Sequence, residues 1–158
     1  MTTIYEEIRK DHAKHRDLLD RIARTHGDSE ERAQLWNAFY YDVKAHAAAE
    51  EETFYAKLME KPGGQDDARH SVSEHKEMDD IMEELNSMGF DNSGWLTRFK
   101  TLKHDYEHHM DEEEEEIFAK AREVLKDDLD SRHAKIFRSR KASERNLVDE
   151  KAEASLEE

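Results

Sequence analysis

The sequence contains no cysteine, one proline and five glycines in 158 residues. The absent thiols exclude disulfides, thiolate nucleophiles, iron–sulfur clusters and cysteine-type zinc sites. The scarcity of proline and glycine removes the residues that usually break helices and turn strands. No apolar run approaches the roughly 18 residues of a membrane span, and the opening stretch MTTIYEEIRKDH lacks the apolar core of a secretory leader. The expectation is a cytoplasmic protein with no membrane partner. Positive charge is also short, with 25 Lys and Arg against 40 Asp and Glu, a net charge of −15. Polyanions are repelled by such a surface, so no nucleic-acid partner is expected.

What remains is rich in charge (41% Asp, Glu, Lys and Arg) and contains ten histidines. The composition favours an all-α protein. Ile4, Ile8, His12, His15, Leu19 and Ile22 mark one stripe of a first helix, which should stop at Gly27. Asp28 or Ser29 is placed to cap a second helix, with Glu31 set for a capping box to Asp28. That helix carries Leu35, Phe39, Val43, His46, Glu50 and Phe54 on one face and stops at Pro62. A third carries Val72, His75, Met78, Met82 and Leu85, and a fourth carries Trp95, Phe99, Leu102, Tyr106, His109, Glu113 and Ile117. Long helices with short connections predict an antiparallel up-down-up-down four-helix bundle with an additional C-terminal helix anchored by Ile136 and Phe137. The bundle and that helix should occupy residues 1–141, and residues 142–158 form a polar tail, helical or disordered.

A shift of 63 residues lays the chain on itself. His12 falls on His75, His46 on His109 and Glu50 on Glu113, while FYAK at 54–57 falls on IFAK at 117–120. The two halves are copies of one helical hairpin. The repeat selects among the acids and histidines of HDYEHHMDEEEEE: His109 and Glu113 match the first copy and lie on the apolar stripe, whereas His104, His108 and Glu112 fall on a neighbouring stripe that should face water.

Six polar side chains are thus directed at a core: His12, His46, Glu50, His75, His109 and Glu113. Buried without partners, each neutral group would cost about 1–3 kcal/mol and each carboxylate more. Divalent or trivalent cations would offset that cost. The set is too large for one tetrahedral zinc. Two ions bridged by both carboxylates use it fully, and a mixed histidine and carboxylate shell with open positions suits non-haem iron better than manganese or zinc. A ferritin-like centre would need Glu-x-x-His, and no histidine has Glu three residues before it. Which histidines share an ion stays open. His15 is a fifth ligand, a donor or proton source behind the ligands, or a packed core residue. Tyr106 should lie near the site, either hydrogen-bonded to a bound ligand or, as expected of a core tyrosine, with its hydroxyl in water.

The motifs KDH at 10–12, HAAAEE at 46–51, SEH at 73–75 and HMDEEE at 109–114 resemble hemerythrin-like domains of the HHE cation-binding type, over about residues 2–126. The resemblance implies a four-helix bundle holding two iron ions, Fe2+ or Fe3+, bridged by oxo or hydroxo. It implies small-molecule partners, namely O2, H2O2 or NO. Oxygen-carrying hemerythrins have His-x-x-x-His on the third helix and an Asp closing the fourth, whereas this chain has Met78-Asp79 after His75 and Glu113. The expected function is therefore peroxide disproportionation or NO chemistry by a di-iron oxidoreductase, in preference to O2 transport. The alternative is a non-catalytic iron or oxygen sensor, or an iron donor for repair of damaged iron centres, with a protein partner.

Overall fold

A computed structural model describes residues 2–126, 129 and 131–157, with side chains as far as residue 147. Helix α1 spans Ile4–Ala23; Thr3 caps it by accepting from the Glu6 N–H at 3.1 Å, and Glu6 and Glu7 sit where the helix dipole favours acids. Gly27, at φ +57°, turns the chain in the left-handed region. Helix α2 spans Glu30–Glu50 and is capped by Ser29, which accepts from the Arg32 N–H at 3.1 Å. The expected Asp28–Glu31 box does not form, because the helix starts at Glu30 and makes Ser29 the first non-helical residue.

After α2 the helix widens into a π-helical turn, Glu51–Tyr55, and continues as α3, Ala56–Met59. The turn Pro62–Gly64 leads into α4, Gln65–Ser87. Gly64 is required there, since a Cβ would meet the Leu58 carbonyl oxygen at 2.6 Å. Helix α5, Trp95–Glu112, passes through a second π-helical turn, Glu113–Ile117, into α6, Phe118–Leu125. Helix α7 runs through Ser131–Glu157 without a break at Lys141.

Helices α1, α2, α4 and α5 form an antiparallel ring in which α1 packs on α2 and α5, α4 packs on α5 and α2, and α7 lies against α2 and α1. Among the described residues there is no strand, and no helix is long and apolar enough to cross a membrane. Two apolar clusters fill the ring. One, around Leu19, Trp36, Phe39, Trp95 and Phe99, occupies one end; the other, around Ile8, Phe54, Leu58, Phe118 and Phe137, occupies the other. Trp95 and Phe99 stack at 5.5 Å, and the Arg32 guanidinium covers Trp95 while donating to the Thr25 and Phe90 carbonyls. Between the two apolar clusters lies a polar layer.

Candidate metal centre

That layer holds all six histidines and glutamates singled out by the repeat, none more than 8% exposed. Helices α2 and α5 are diagonal in the ring, so Glu50 and Glu113 project toward each other across the bundle axis. Each carboxylate reaches two histidines. Glu50 Oε2 lies 3.3 Å from His46 Nε2, and Oε1 lies 3.1 Å from His75 Nε2. Glu113 Oε1 lies 3.1 Å from His12 Nε2, and Oε2 lies 3.6 Å from His109 Nε2. Two overlapping groups result. His12 and His46 share Glu50 and Glu113 on one side, His75 and His109 share them on the other, and within each group the donor atoms lie within 4.8 Å. The pairing that sequence left open follows from helix order.

The donor set fits metal ions on an observation independent of motif. His12 Nε2, both oxygens of Glu50 and Glu113 Oε1 are buried and make no hydrogen bond, since their mutual contacts have ion-pair distances but not hydrogen-bond directions. Buried polar atoms are rarely left so. Four of them aimed at one small volume could hold a cation.

The outward nitrogens carry carboxylates with the same two-fold pattern. His46 Nδ1 meets Asp11 at 2.7 Å and His109 Nδ1 meets Glu74 at 2.8 Å. His12 Nδ1 meets Glu114 at 3.0 Å, and His75 Nδ1 faces Glu51 at 3.7 Å. On His12, His46 and His109 the bonded carboxylate orients the ring with Nε2 inward and raises its basicity, whereas His75 Nδ1 makes no hydrogen bond. Sequence reading assigned no role to Asp11, Glu51, Glu74 or Glu114 beyond their place in the motifs. The signal was in the same register, since the 63-residue shift lays Asp11 on Glu74 and Glu51 on Glu114, acid on acid.

Charge and burial oppose each other here. Burial disfavours the imidazolium of His46 and His75, but Glu50 and the outer carboxylates outweigh it and push them up to about 9 and about 10. His12 is likewise raised against its burial by Glu113 and Glu114. Burial would raise the Glu50 carboxyl, yet His46 and His75 hold it well below its ordinary range.

His15 belongs to neither group. Its Nε2 lies 2.7 Å from Asp42 Oδ2 and its Nδ1 2.7 Å from the Tyr106 hydroxyl. Asp42 also pairs with Lys14 and Lys141 at 3.2 and 3.1 Å, which keeps it ionised. The consistent tautomer donates Nε2–H to Asp42 and accepts the Tyr106 O–H at Nδ1. Burial drives the ring down to about 4, so His15 is neutral at neutral pH. Tyr106 is buried with its hydroxyl bonded to His15, and does not end in water as a core tyrosine was expected to. The cause is His15 itself, whose Nδ1 needs a donor once Asp42 has taken Nε2–H.

Tyr55 was not singled out in the sequence, yet its hydroxyl donates to Glu113 Oε2. Its counterpart in the other half is Phe118, so this bond breaks the two-fold pattern. Burial, then the Glu113 and Glu50 carboxylates, raise the Tyr55 phenol well above its ordinary value, which keeps it a donor. Tyr55→Phe removes one hydrogen bond to a buried carboxylate. It should cost about 1.5–3 kcal/mol in denaturant unfolding of the metal-stripped protein, while Phe118→Tyr is not expected to restore it.

Both π-helical turns begin at or beside the shared carboxylates, the first directly after Glu50 and the second at Glu113. Such turns concentrate at functional sites, where one extra residue re-aims side chains without ending the helix. Periodicity alone does not reveal them.

Comparison with known proteins gives a consistent picture. Residues 3–121 match the hemerythrin HHE cation binding domain family. The chain is 26% identical over 139 residues to a DNA nickase of Nostoc sp., covering 88% of this chain but 39% of that protein's length. A crystal structure of a hemerythrin HHE cation binding domain-containing protein from Mycobacterium kansasii has the same fold, with TM-score 0.82 and 22% identity, covering 93% of this chain and 90% of that one. The matched segment takes in both helical hairpins and all six buried histidines and glutamates, and the chain belongs to the hemerythrin HHE cation-binding domain family.

Proposed function

We propose that the chain holds two iron ions, one between His12 and His46 and one between His75 and His109, with Glu50 and Glu113 shared by both, and that it reacts with a small oxygen or nitrogen species. The observation that carries this reading is the pair of overlapping buried His2Glu2 groups with unpartnered atoms facing inward. Iron, when bound, would supply the one-electron and two-electron steps. The protein's part is to hold, orient and admit. A cavity of about 320 Å3 between α2 and α4 reaches His46, His75 and Tyr106 past Val43, Val72 and Met82. It offers a small molecule a path to the centre with a mostly apolar lining. Tyr106 lines that path with its hydroxyl held by His15, which Asp42 holds in turn; burial and the Glu50 and Glu113 carboxylates raise its phenol well above the ordinary value, so it stays protonated.

Disproportionation of hydrogen peroxide is the favoured reaction, with NO chemistry next. Asp79 stands four residues after His75, where the oxygen-carrier pattern has a second histidine, so the symmetric four-histidine set departs from that pattern. A sensing role is favoured by a different observation. Lys141 of α7 bonds Asp11 at 2.8 Å, Asp11 holds His46, and Phe137 of α7 packs edge-on against the His46 ring at 5.6 Å. Metal loss at His46 would thus be felt by α7. The test is metal analysis and an absorption spectrum of aerobically purified protein, followed by addition of peroxide. Two irons per chain with near-UV charge-transfer bands and released O2 are expected. A folded, metal-free protein would overturn the di-iron reading, and loaded protein that releases no O2 and consumes no NO would favour the sensor.

A further inference from the structure

The two halves differ on one outer face. In the first half, α7 covers α1 and α2, with Arg138 on Glu7 at 2.6 Å and Lys141 on Asp11 at 2.8 Å, over the buried Ala45 and Ala49. The 63-residue shift carries Glu7, Asp11, Ala45 and Ala49 onto His70, Glu74, His108 and Glu112. Where the first half has alanines beneath a helix, the second has an exposed histidine, His108, and a partly buried glutamate, Glu112.

We propose that His70, Glu74, His108 and Glu112 form an outer site for a divalent transition-metal ion, separate from the buried centre. His70 and Glu74 are an i, i+4 pair on α4, and His108 and Glu112 are an i, i+4 pair on the adjacent α5, so four ligand-type side chains converge from two helices. His70 Nε2 lies 2.8 Å from Glu112 Oε1 and 3.4 Å from Glu74 Oε1, and His108 Nε2 lies 3.4 Å from Glu112 Oε2. Ligand atoms of His70, Glu74 and Glu112 lie within 4.8 Å of one another. The histidines are half to two-thirds exposed, so an ion reaches them directly.

The first half supplies the second argument. Asp11, which supports His46, is balanced by the Lys141 ammonium. Glu74 supports His109 in the same way, but its outer neighbour is the His70 imidazole. A cation at the outer site takes the electrostatic place that Lys141 holds in the other half. A mixed shell of imidazoles and carboxylates suits zinc-like ions, Zn2+ or Co2+, better than Mg2+ or Ca2+, which prefer all-oxygen shells.

Cobalt(II) is a direct probe, because four-coordinate Co2+ absorbs visibly. Protein whose buried centre has been saturated with iron is titrated with CoCl2 and followed by absorption and by metal analysis after gel filtration. One further ion per chain is expected. His108→Ala and Glu112→Gln should each weaken its binding by at least about tenfold, with the iron content and circular dichroism unchanged, while His104→Ala, one turn away and exposed, should have no effect. Cobalt uptake that survives in a His70→Ala/His108→Ala double variant, or no uptake beyond the buried centre, overturns the proposal. If the buried centre takes no iron, total cobalt per chain is compared between the native chain and His108→Ala. A difference of one ion then upholds the outer site even though the di-iron reading has failed.

Discussion

Glu50→Ala should lose both metal ions at once. The Glu50 oxygens lie 3.3 Å from His46 Nε2 and 3.1 Å from His75 Nε2, so this one carboxylate belongs to both groups of donors. Removing it would delete a ligand and a negative charge from each of the two proposed ions and leave His46 and His75 without the anion between them. The iron content of purified Glu50→Ala is expected to fall by at least about tenfold. His12→Ala touches one group and should retain about half the iron, because the His75 and His109 side keeps its full set of donors. Glu50→Gln serves as the volume-conserving control should the alanine variant fold poorly. Glu112→Ala, next in sequence to Glu113, should leave the buried irons in place, since Glu112 turns outward to His70. Metal analysis after gel filtration reads all of these. Full iron in Glu50→Ala, or iron lost from Glu112→Ala with Glu113→Ala unaffected, would show that the wrong carboxylates had been assigned.

Much of this centre was legible because two signals coincide in it. Helical periodicity put His12, His46, Glu50, His75, His109 and Glu113 on inward stripes, and the 63-residue repeat chose His109 over His108 in a crowded stretch. Both signals are local or nearly so, and α-helix geometry converts them directly into side-chain direction. The partners behind the ligands were harder to read. Asp11 precedes His12 by one residue, so on its own helix it points away from His12; it serves His46 on the neighbouring helix instead. Glu114 likewise serves His12, 102 residues distant. Such contacts depend on which helices are neighbours, and periodicity carries no information about that. The widening of α2 at Glu51–Tyr55 was illegible for another reason. It adds one residue to a turn while the apolar stripe continues on both sides, so Phe54 and Leu58 stay buried and the pattern hardly changes. Tyr55 reaches Glu113 only because of where that widened turn places it. The C-terminal helix was anticipated from Ile136 and Phe137, but only Phe137 is buried while Ile136 is 46% exposed, since two adjacent residues cannot both face α2.

The metal-stripped protein should be most stable near pH 6.5 and lose stability on both sides, for opposite reasons. On the alkaline side, His46 and His75 are held by Glu50 at about 9 and about 10, above their ordinary 6.5. A raised value means the folded chain binds these protons more tightly than the unfolded chain. The stabilisation is therefore complete below pH 6.5 and is lost as the pH climbs through 9 to 10. On the acid side, His15 is driven down to about 4 by burial. The folded chain resists protonating it, so stability falls as the pH drops from 6.5 toward 4, and each tenfold loss of proton affinity on folding puts roughly 1.4 kcal/mol at stake. Metal reverses the alkaline limb. An ion between His12 and His46 or between His75 and His109 needs each Nε2 without a proton, so protons compete with it and are released when it binds. The stabilisation conferred by Fe2+ should then grow as the pH rises from 6.5 to 9, over the range in which the stripped protein weakens. Urea unfolding under anaerobic conditions, with and without Fe2+ at matched pH, measures the gap directly, and proton release into a weakly buffered solution measures its cause. A gap that stays constant with pH, or no proton release on binding, would mean that the ions are not held through the imidazoles that Glu50 keeps protonated.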